Sequence, residues 1–194
     1  MRPGILNHGY KPATKLLFRM IRLFSGHPLP DAAKIVFYRP DFYGNAAKRF
    51  THAAMRGASD WSVGDRELMA AFVSHANECA FCIGAHTATA AGAYRDSRQV
   101  QAVLADLDSA PIKEGLRATL RMLAKLARDG TVSGGDMREV LAAGVSRQQI
   151  EDALAVCTAF NITNRLADAF DFELLDAEGY DAGAKFLLKR GYGG

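Results

Sequence analysis

Residues 79–86 read Cys79-Ala80-Phe81-Cys82-Ile83-Gly84-Ala85-His86 and hold two of the three cysteines of this 194-residue chain. Wound as a helix at about 100° per residue, the stretch brings Cys79, Cys82 and His86 within roughly 60° of one another. Two thiols and an imidazole on one stripe can form a reversible disulfide beside a base. They can equally offer three ligands to a metal. The shared stripe requires the stretch to be helical, so the sequence on either side bears on fold and chemistry together.

That flanking sequence is helical throughout. Ser62-Val63-Gly64-Asp65 has the form of a capping box and opens a helix to about Ala76, with Leu68, Met69, Phe72 and Val73 at helical spacing. Asn77 is read as the cap of the next helix, from Glu78 to about Ala91, with Gly92 ending it. Further helices are expected from Ser97 to Leu107, from Pro111 to Gly130, and over Asp136 to Ala143. Ser146-Arg147-Gln148-Gln149, a second capping box, opens a long helix to about Leu175. Before residue 58, helices are expected over about 13–24 and 44–57, separated by a Pro-punctuated connection. Alternating strand patterns are nearly absent, so the expected fold class is all-α.

Nearly half of the residues are apolar, enough to bury a core, and no apolar run approaches the roughly 18 residues of a membrane span. Arg19 and Arg22 interrupt Leu16–Phe24, and no small-residue cleavage site follows it, which argues against a signal peptide. Three cysteines are not a secreted disulfide framework, so cytoplasmic residence is expected. Charge divides the chain. Residues 1–57 carry ten Lys or Arg against two Asp, net +8, whereas the remainder carries fourteen basic against nineteen acidic residues, net −5. The basic residues are scattered and no nucleic-acid module accompanies them. The expected organisation is therefore a basic helical N-terminal segment over 1–57, docking on an acidic surface of its own or a neighbouring subunit, and a helical domain over 58–194.

Helix N-termini favour the thiolate, and both cysteines are expected in the first turns of their helix. Cysteines at i and i+3 there suit thiol–disulfide exchange, one sulfur attacking and the other resolving. His86, one turn beyond Cys82, can move a proton and calls for an orienting carboxylate from the preceding helix. Asp65 is committed to capping, which leaves Glu67.

Glu67-x₁₁-Cys79-x₂-Cys82-x₃-His86 resembles the signature of the alkylhydroperoxidase D-like (AhpD-like), carboxymuconolactone decarboxylase superfamily. Phe160-Asn161-Ile162-Thr163-Asn164-Arg165-Leu166-Ala167-Asp168 is similar to the Phe-Asn-x-x-Asn-Arg-x-Ala-Asp segment of its peroxidase-related branch. The resemblance implies an AhpD-like helical bundle assembled into homo-oligomers. It also implies a peroxidase with a hydroperoxide substrate and a dithiol or lipoyl-type electron donor, and it calls for no cofactor or metal. Carried over to this chain, it makes Cys82 the peroxidatic thiol, Cys79 the resolving thiol, and Glu67 with His86 the proton relay. Phe81 holds the place where the best-studied members carry a further His, and is expected to shape an apolar entrance.

Two other readings compete. Cys79, Cys82 and His86 could hold zinc with His75 or Glu67 as fourth ligand, although no second Cys or His pair exists to complete a structural site. A scaffold protein could also keep the fold without turnover. Ile150, Leu154, Cys157, Asn161, Asn164 and Asp168 fall on one stripe of the last long helix. They read either as a satisfied buried network or as the floor of a pocket, with Cys157 an inert buried thiol. His8, His27, His52 and His75 lack partners at useful spacing. Trp61, Phe37, Tyr38, Phe42 and Tyr43 are read as packing.

Overall fold

The computed structural model describes residues 4–193, excepting the side chains of Ile5, Phe42 and Tyr43, so the packing expected of Phe42 and Tyr43 falls outside it. Ten α-helices are present among the described residues, and no strand. They are α1 (Pro12–Ser25), α2 (Asp31–Tyr38), α3 (Asn45–Arg56), α4 (Val63–Ala76), α5 (Ala80–Tyr94), α6 (Ser97–Ala105), α7 (Glu114–Asp129), α8 (Gly134–Ala142), α9 (Arg147–Ala169) and α10 (Ala177–Arg190). No helix among the described residues is long and apolar enough to cross a membrane.

Local chemistry sets most of the boundaries. Capping boxes close the N-termini of α4 and α9 as their sequences predict, and Ser133 with Asp136 makes a third at α8. Several boundaries differ from the sequence reading, among them the start of α7, which opens at Glu114 rather than at Pro111. Asn77 ends α4 rather than capping α5, and Glu78 turns the chain in the left-handed region (φ 57°) before Cys79 becomes the N-cap of α5. The amide of Cys79 donates to the carbonyl of Ser74 (3.0 Å), which fixes this tight corner. Helix α5 runs through Gly92 to Tyr94, and α9 stops at Ala169, with Asp171 at φ 50° turning the chain away. The Pro-punctuated connection contains α2, and the stretch after Leu175 holds α10, which the sequence reading missed.

Helix α10 lies against α5 because α5 presents bare backbone to it. A Cβ on Gly84 would stand 2.5 Å from the Tyr180 ring, and one on Gly92 would stand 2.9 Å from Leu188. Both pairs are spaced by eight residues, so two glycines on one helix receive two large side chains from the other. The main core gathers Met55, Trp61, Leu68, Met69, Val73, Val100, Val103, Leu120, Leu123, Val156 and Phe160. Trp61 is anchored inside it by its Nε1–H donating to the Gln149 carbonyl (2.7 Å). A second apolar cluster joins Leu6 and Ile35, from the start of the chain, to Cys79, Phe81, Cys82, Ala167 and Phe172. Helix α1 buries none of its residues, and Leu23 and Phe24 are about four-fifths exposed.

Candidate active site

Glu67 lies on the buried side of α4, wholly removed from solvent. An ionised carboxylate placed there needs hydrogen-bond donors, and three converge on it. His86 Nδ1 is 2.8 Å from Oε2, Arg56 Nη2 is 2.6 Å from Oε1, and the Tyr192 hydroxyl bridges both oxygens at 2.9 and 3.0 Å. The desolvation of burial pushes the Glu67 carboxyl up and is the largest single influence. The His86 hydrogen bond and charge, with Arg56, overcome it and hold the carboxyl below its ordinary value. Because a carboxylate only accepts, His86 donates through Nδ1, and Nε2 is the ring's remaining nitrogen. The edge-on ring of Phe160, 4.3 Å between centroids, packs against the imidazole.

Cys79 and Cys82 are free thiols, each only 1% exposed. As N-cap, Cys79 sits among the unpaired amides of the first turn of α5, with Cys82 three residues inside. Cys82 thus lies in the first turn as expected, while Cys79 caps the helix rather than lying inside it. The hydrogen bond from Cys82 holds the Cys79 thiol below the usual thiol range, and the Cys82 backbone amide acts in the same direction. Burial and the Asp168 carboxylate oppose that shift. Cys82, as the donor and a buried group, is pushed up. Cys79 is therefore the more acidic thiol of the pair, while Cys82 is one helical turn from His86.

The polar stripe of α9 becomes a network around the α4–α5 corner. Asn164 Oδ1 accepts from Ser74 Oγ (3.0 Å), and Asn161 Oδ1 accepts from Asn77 Nδ2 (2.8 Å). Asn161 also donates to Cys157 Sγ (3.4 Å), whose thiol burial pushes up to about 11. Asp168 reaches Cys79. The stripe thus braces the turn that delivers the first cysteine. Phe81 packs edge-on against Phe172, with ring centroids 5.3 Å apart, beside Tyr180 at 6.2 Å.

Glu67 and His86 are brought together, as are Cys79 and Cys82. Of the two alternative fourth ligands for zinc, Glu67 is committed to its three donors and His75 is exposed. Among the described residues, no three His, Cys, Asp or Glu side chains are placed to hold a metal. Sequence reasoning missed Arg56 and Tyr192. Arg56 was counted only as part of a basic segment, and Tyr192 follows a helix that was not foreseen.

Comparison with known proteins agrees with this architecture. Residues 43–125 match the carboxymuconolactone decarboxylase family. No protein of curated function matches the chain in sequence. Among solved structures, it resembles an uncharacterised peroxidase-related protein from Silicibacter sp. TM1040, with 24% identity over 91% of each chain and a TM-score of 0.75. A second, described as an alkylhydroperoxidase AhpD core and peroxidase-related protein from Ralstonia eutropha JMP134, has 20% identity over 95% of each chain and a TM-score of 0.74. A third is the debrominase Bmp8, in a cysteine-to-alanine form in complex with 2,3,4-tribromopyrrole, with 16% identity over 90% of each chain and a TM-score of 0.69. The all-helical fold is thus shared with these solved neighbours, and the segment similar to the carboxymuconolactone decarboxylase family contains the Glu, Cys, Cys, His site.

Proposed function

We propose that the protein is a thiol-dependent peroxidase that reduces hydroperoxides through Cys79 and Cys82. The observation that carries this reading is the buried 2.8 Å contact between Glu67 and His86, with the free thiols of Cys82 and Cys79 about one and two helical turns before that histidine. In the reaction, the Cys82 sulfur attacks the terminal peroxide oxygen and the O–O bond breaks. Cys82 becomes a sulfenic acid and the alcohol leaves. His86 takes the thiol proton and returns it to the departing alkoxide, while Glu67 steadies the imidazolium that forms in between. Cys79 then attacks the sulfenic sulfur, releasing water and closing a disulfide. A dithiol donor of lipoyl type restores both thiols by exchange. The more acidic thiol, Cys79, suits the resolving step, and proton removal by His86 is what Cys82 needs in order to attack.

The experiment is peroxide consumption with a dithiol donor. Cys82→Ser should lower turnover at least tenfold, and unchanged turnover in that variant overturns the mechanism. A second reading draws on the aromatic walls that Phe81 and Phe172 give the thiol cluster, and on the debrominase likeness. Here the two electrons of the dithiol reduce a carbon–halogen bond of a small aromatic halide: the ring carbon takes one thiol proton to become C–H, the halide leaves with release of the second proton, and the thiols close to the disulfide. Halide release from a bromopyrrole without peroxide turnover would favour it.

A further inference from the structure

The last described residues return to the buried carboxylate from the far end of the chain. Helix α10 ends with the Gly191 amide donating to the Leu187 carbonyl (2.9 Å), an acceptor that Arg56 also reaches (3.2 Å). The chain then runs Gly191-Tyr192-Gly193 across α3, where His52 and Arg56 stand one turn apart. Gly191 lies at φ 66°, and a Cβ on it would stand 2.9 Å from the His52 ring. A Cβ on Gly193 would also come within 2.9 Å of that ring. Glycine on both sides therefore lets the tail lie flat on His52. Between the glycines, the Tyr192 ring lies under the Arg56 guanidinium (5.0 Å), and its hydroxyl reaches both oxygens of Glu67 and stands 3.4 Å from His86 Nδ1.

We propose that Tyr192 is a positioning residue of the proton relay, clasped onto α3 by its flanking glycines so that its hydroxyl fixes the Glu67 carboxylate against His86. The inference rests on the peroxidase reading for its kinetic consequences, and on geometry alone for its effect on His86. A glutamate side chain with three rotatable bonds can meet one donor in many ways, whereas three donors from three directions leave its carboxylate one orientation. That orientation holds His86 with Nδ1 as donor and Nε2 as the proton-accepting nitrogen. The charged and titratable groups around Glu67 are Arg56 from α3, Arg66 from its own helix, His86 from α5 and Tyr192 from the tail. Removing the phenol deletes one donor to the ionised carboxyl, so Glu67 protonates at a higher pH.

The test uses the full-length Tyr192→Phe variant, which keeps the ring under Arg56 and loses only the hydroxyl. kcat for hydroperoxide reduction should fall about fivefold with KM unchanged, and the acid limb of the kcat profile should move towards neutral pH. Nitrogen-15 NMR of the His86 ring is the readout that needs no turnover. The parent protein should show a single tautomer, protonated at Nδ1, and the variant a mixture. Gly191→Ala, which keeps the phenol but cannot lie on His52, should reproduce both effects. An unmoved pH limb together with an unchanged His86 tautomer in Tyr192→Phe overturns the proposal. If the parent protein reduces no peroxide, the peroxidase reading fails, and the NMR comparison still decides the role of Tyr192.

Discussion

Gly84 lies beneath the ring of Tyr180, so close that the smallest side chain at that position would meet the ring at 2.5 Å. The contact sits on α5 between the cysteines and His86 on one side and α10 on the other, so it sets how α10 approaches the site. Gly84→Ala should push α10 outward. Overpacking of this kind costs about 2 kcal/mol, or a fall of about 4–8 °C in melting temperature for a chain of this size. Thermal unfolding followed by circular dichroism measures the cost. Because α10 carries the chain on to Tyr192, peroxide turnover should fall along with stability. An alanine variant as stable as the parent would show that the ring moves aside freely.

The three thiols should divide into a reactive pair and a bystander. Cys79 and Cys82 share a hydrogen bond at the N-terminus of α5, whereas Cys157 lies on α9 with Asn161 as its hydrogen-bond partner. Titration with one equivalent of hydroperoxide should remove two thiols and leave one, and peptide mapping should find Cys157 still reduced. Cys79→Ser should stop the oxidation at a sulfenic acid on Cys82, detectable with a dimedone-type probe. Sulfenic acid trapped instead on Cys79 in the Cys82→Ser variant, with turnover retained, would reverse the order of attack.

Glu67 supplies a pH dependence whose sign follows from its environment. Its carboxyl is held below the ordinary value of 4.5 in the fold, so it binds its proton less readily folded than unfolded. Its contribution to stability is therefore complete above about pH 4.5 and is lost as pH falls through the lower folded value. Arg56→Ala removes the 2.6 Å ion pair and leaves a buried carboxylate with two donors instead of three. Breaking a buried pair from one side costs about 3 kcal/mol. Denaturant melts at pH 7 should show that loss, and the gap between variant and parent should narrow as the pH falls below 4. Arg56→Lys should recover part of it, because lysine keeps the charge but cannot also reach the Met55 and Leu187 carbonyls in the same geometry.

Parts of the site were legible because their causes are local. Ser62 with Asp65 and Ser146 with Gln149 are bonded three residues apart, so their capping boxes are written in the sequence. The pairing of Glu67 with His86 follows from a short corner between two consecutive helices, given that Asp65 is occupied by Ser62 and Tyr94. The exact corner was not legible, since Asn77 satisfies the sequence rule for opening a helix and here ends one. What selects the outcome is Glu78 in a left-handed conformation and the Cys79 amide bonded to Ser74, neither of which has a residue signature. Arg56 and Tyr192 reach Glu67 across 11 and 125 residues of sequence. A signal did exist for α10: Gly84 and Gly92 on one helix match Tyr180 and Leu188 at the same spacing on another.

Access to the thiols should be controlled from the start of the chain. Leu6 and Ile35 pack with Phe81 and Phe172 over Cys79 and Cys82, and Asp31 ties this segment down by accepting from the Glu173 amide (2.9 Å) and pairing with Lys34 (2.8 Å). A peroxide must pass this cover to reach sulfurs that are 1% exposed. Ile35→Ala deletes buried methyl groups on the outer side of the cluster and opens space without touching the relay. Alkylation of the pair by iodoacetamide should accelerate about fivefold, with the helical circular dichroism spectrum unchanged. The KM for a bulky hydroperoxide such as cumene hydroperoxide should fall more than that for hydrogen peroxide, because only the larger molecule is limited by the cover. Equal changes for both peroxides would place the route to the thiols elsewhere, away from Leu6 and Ile35.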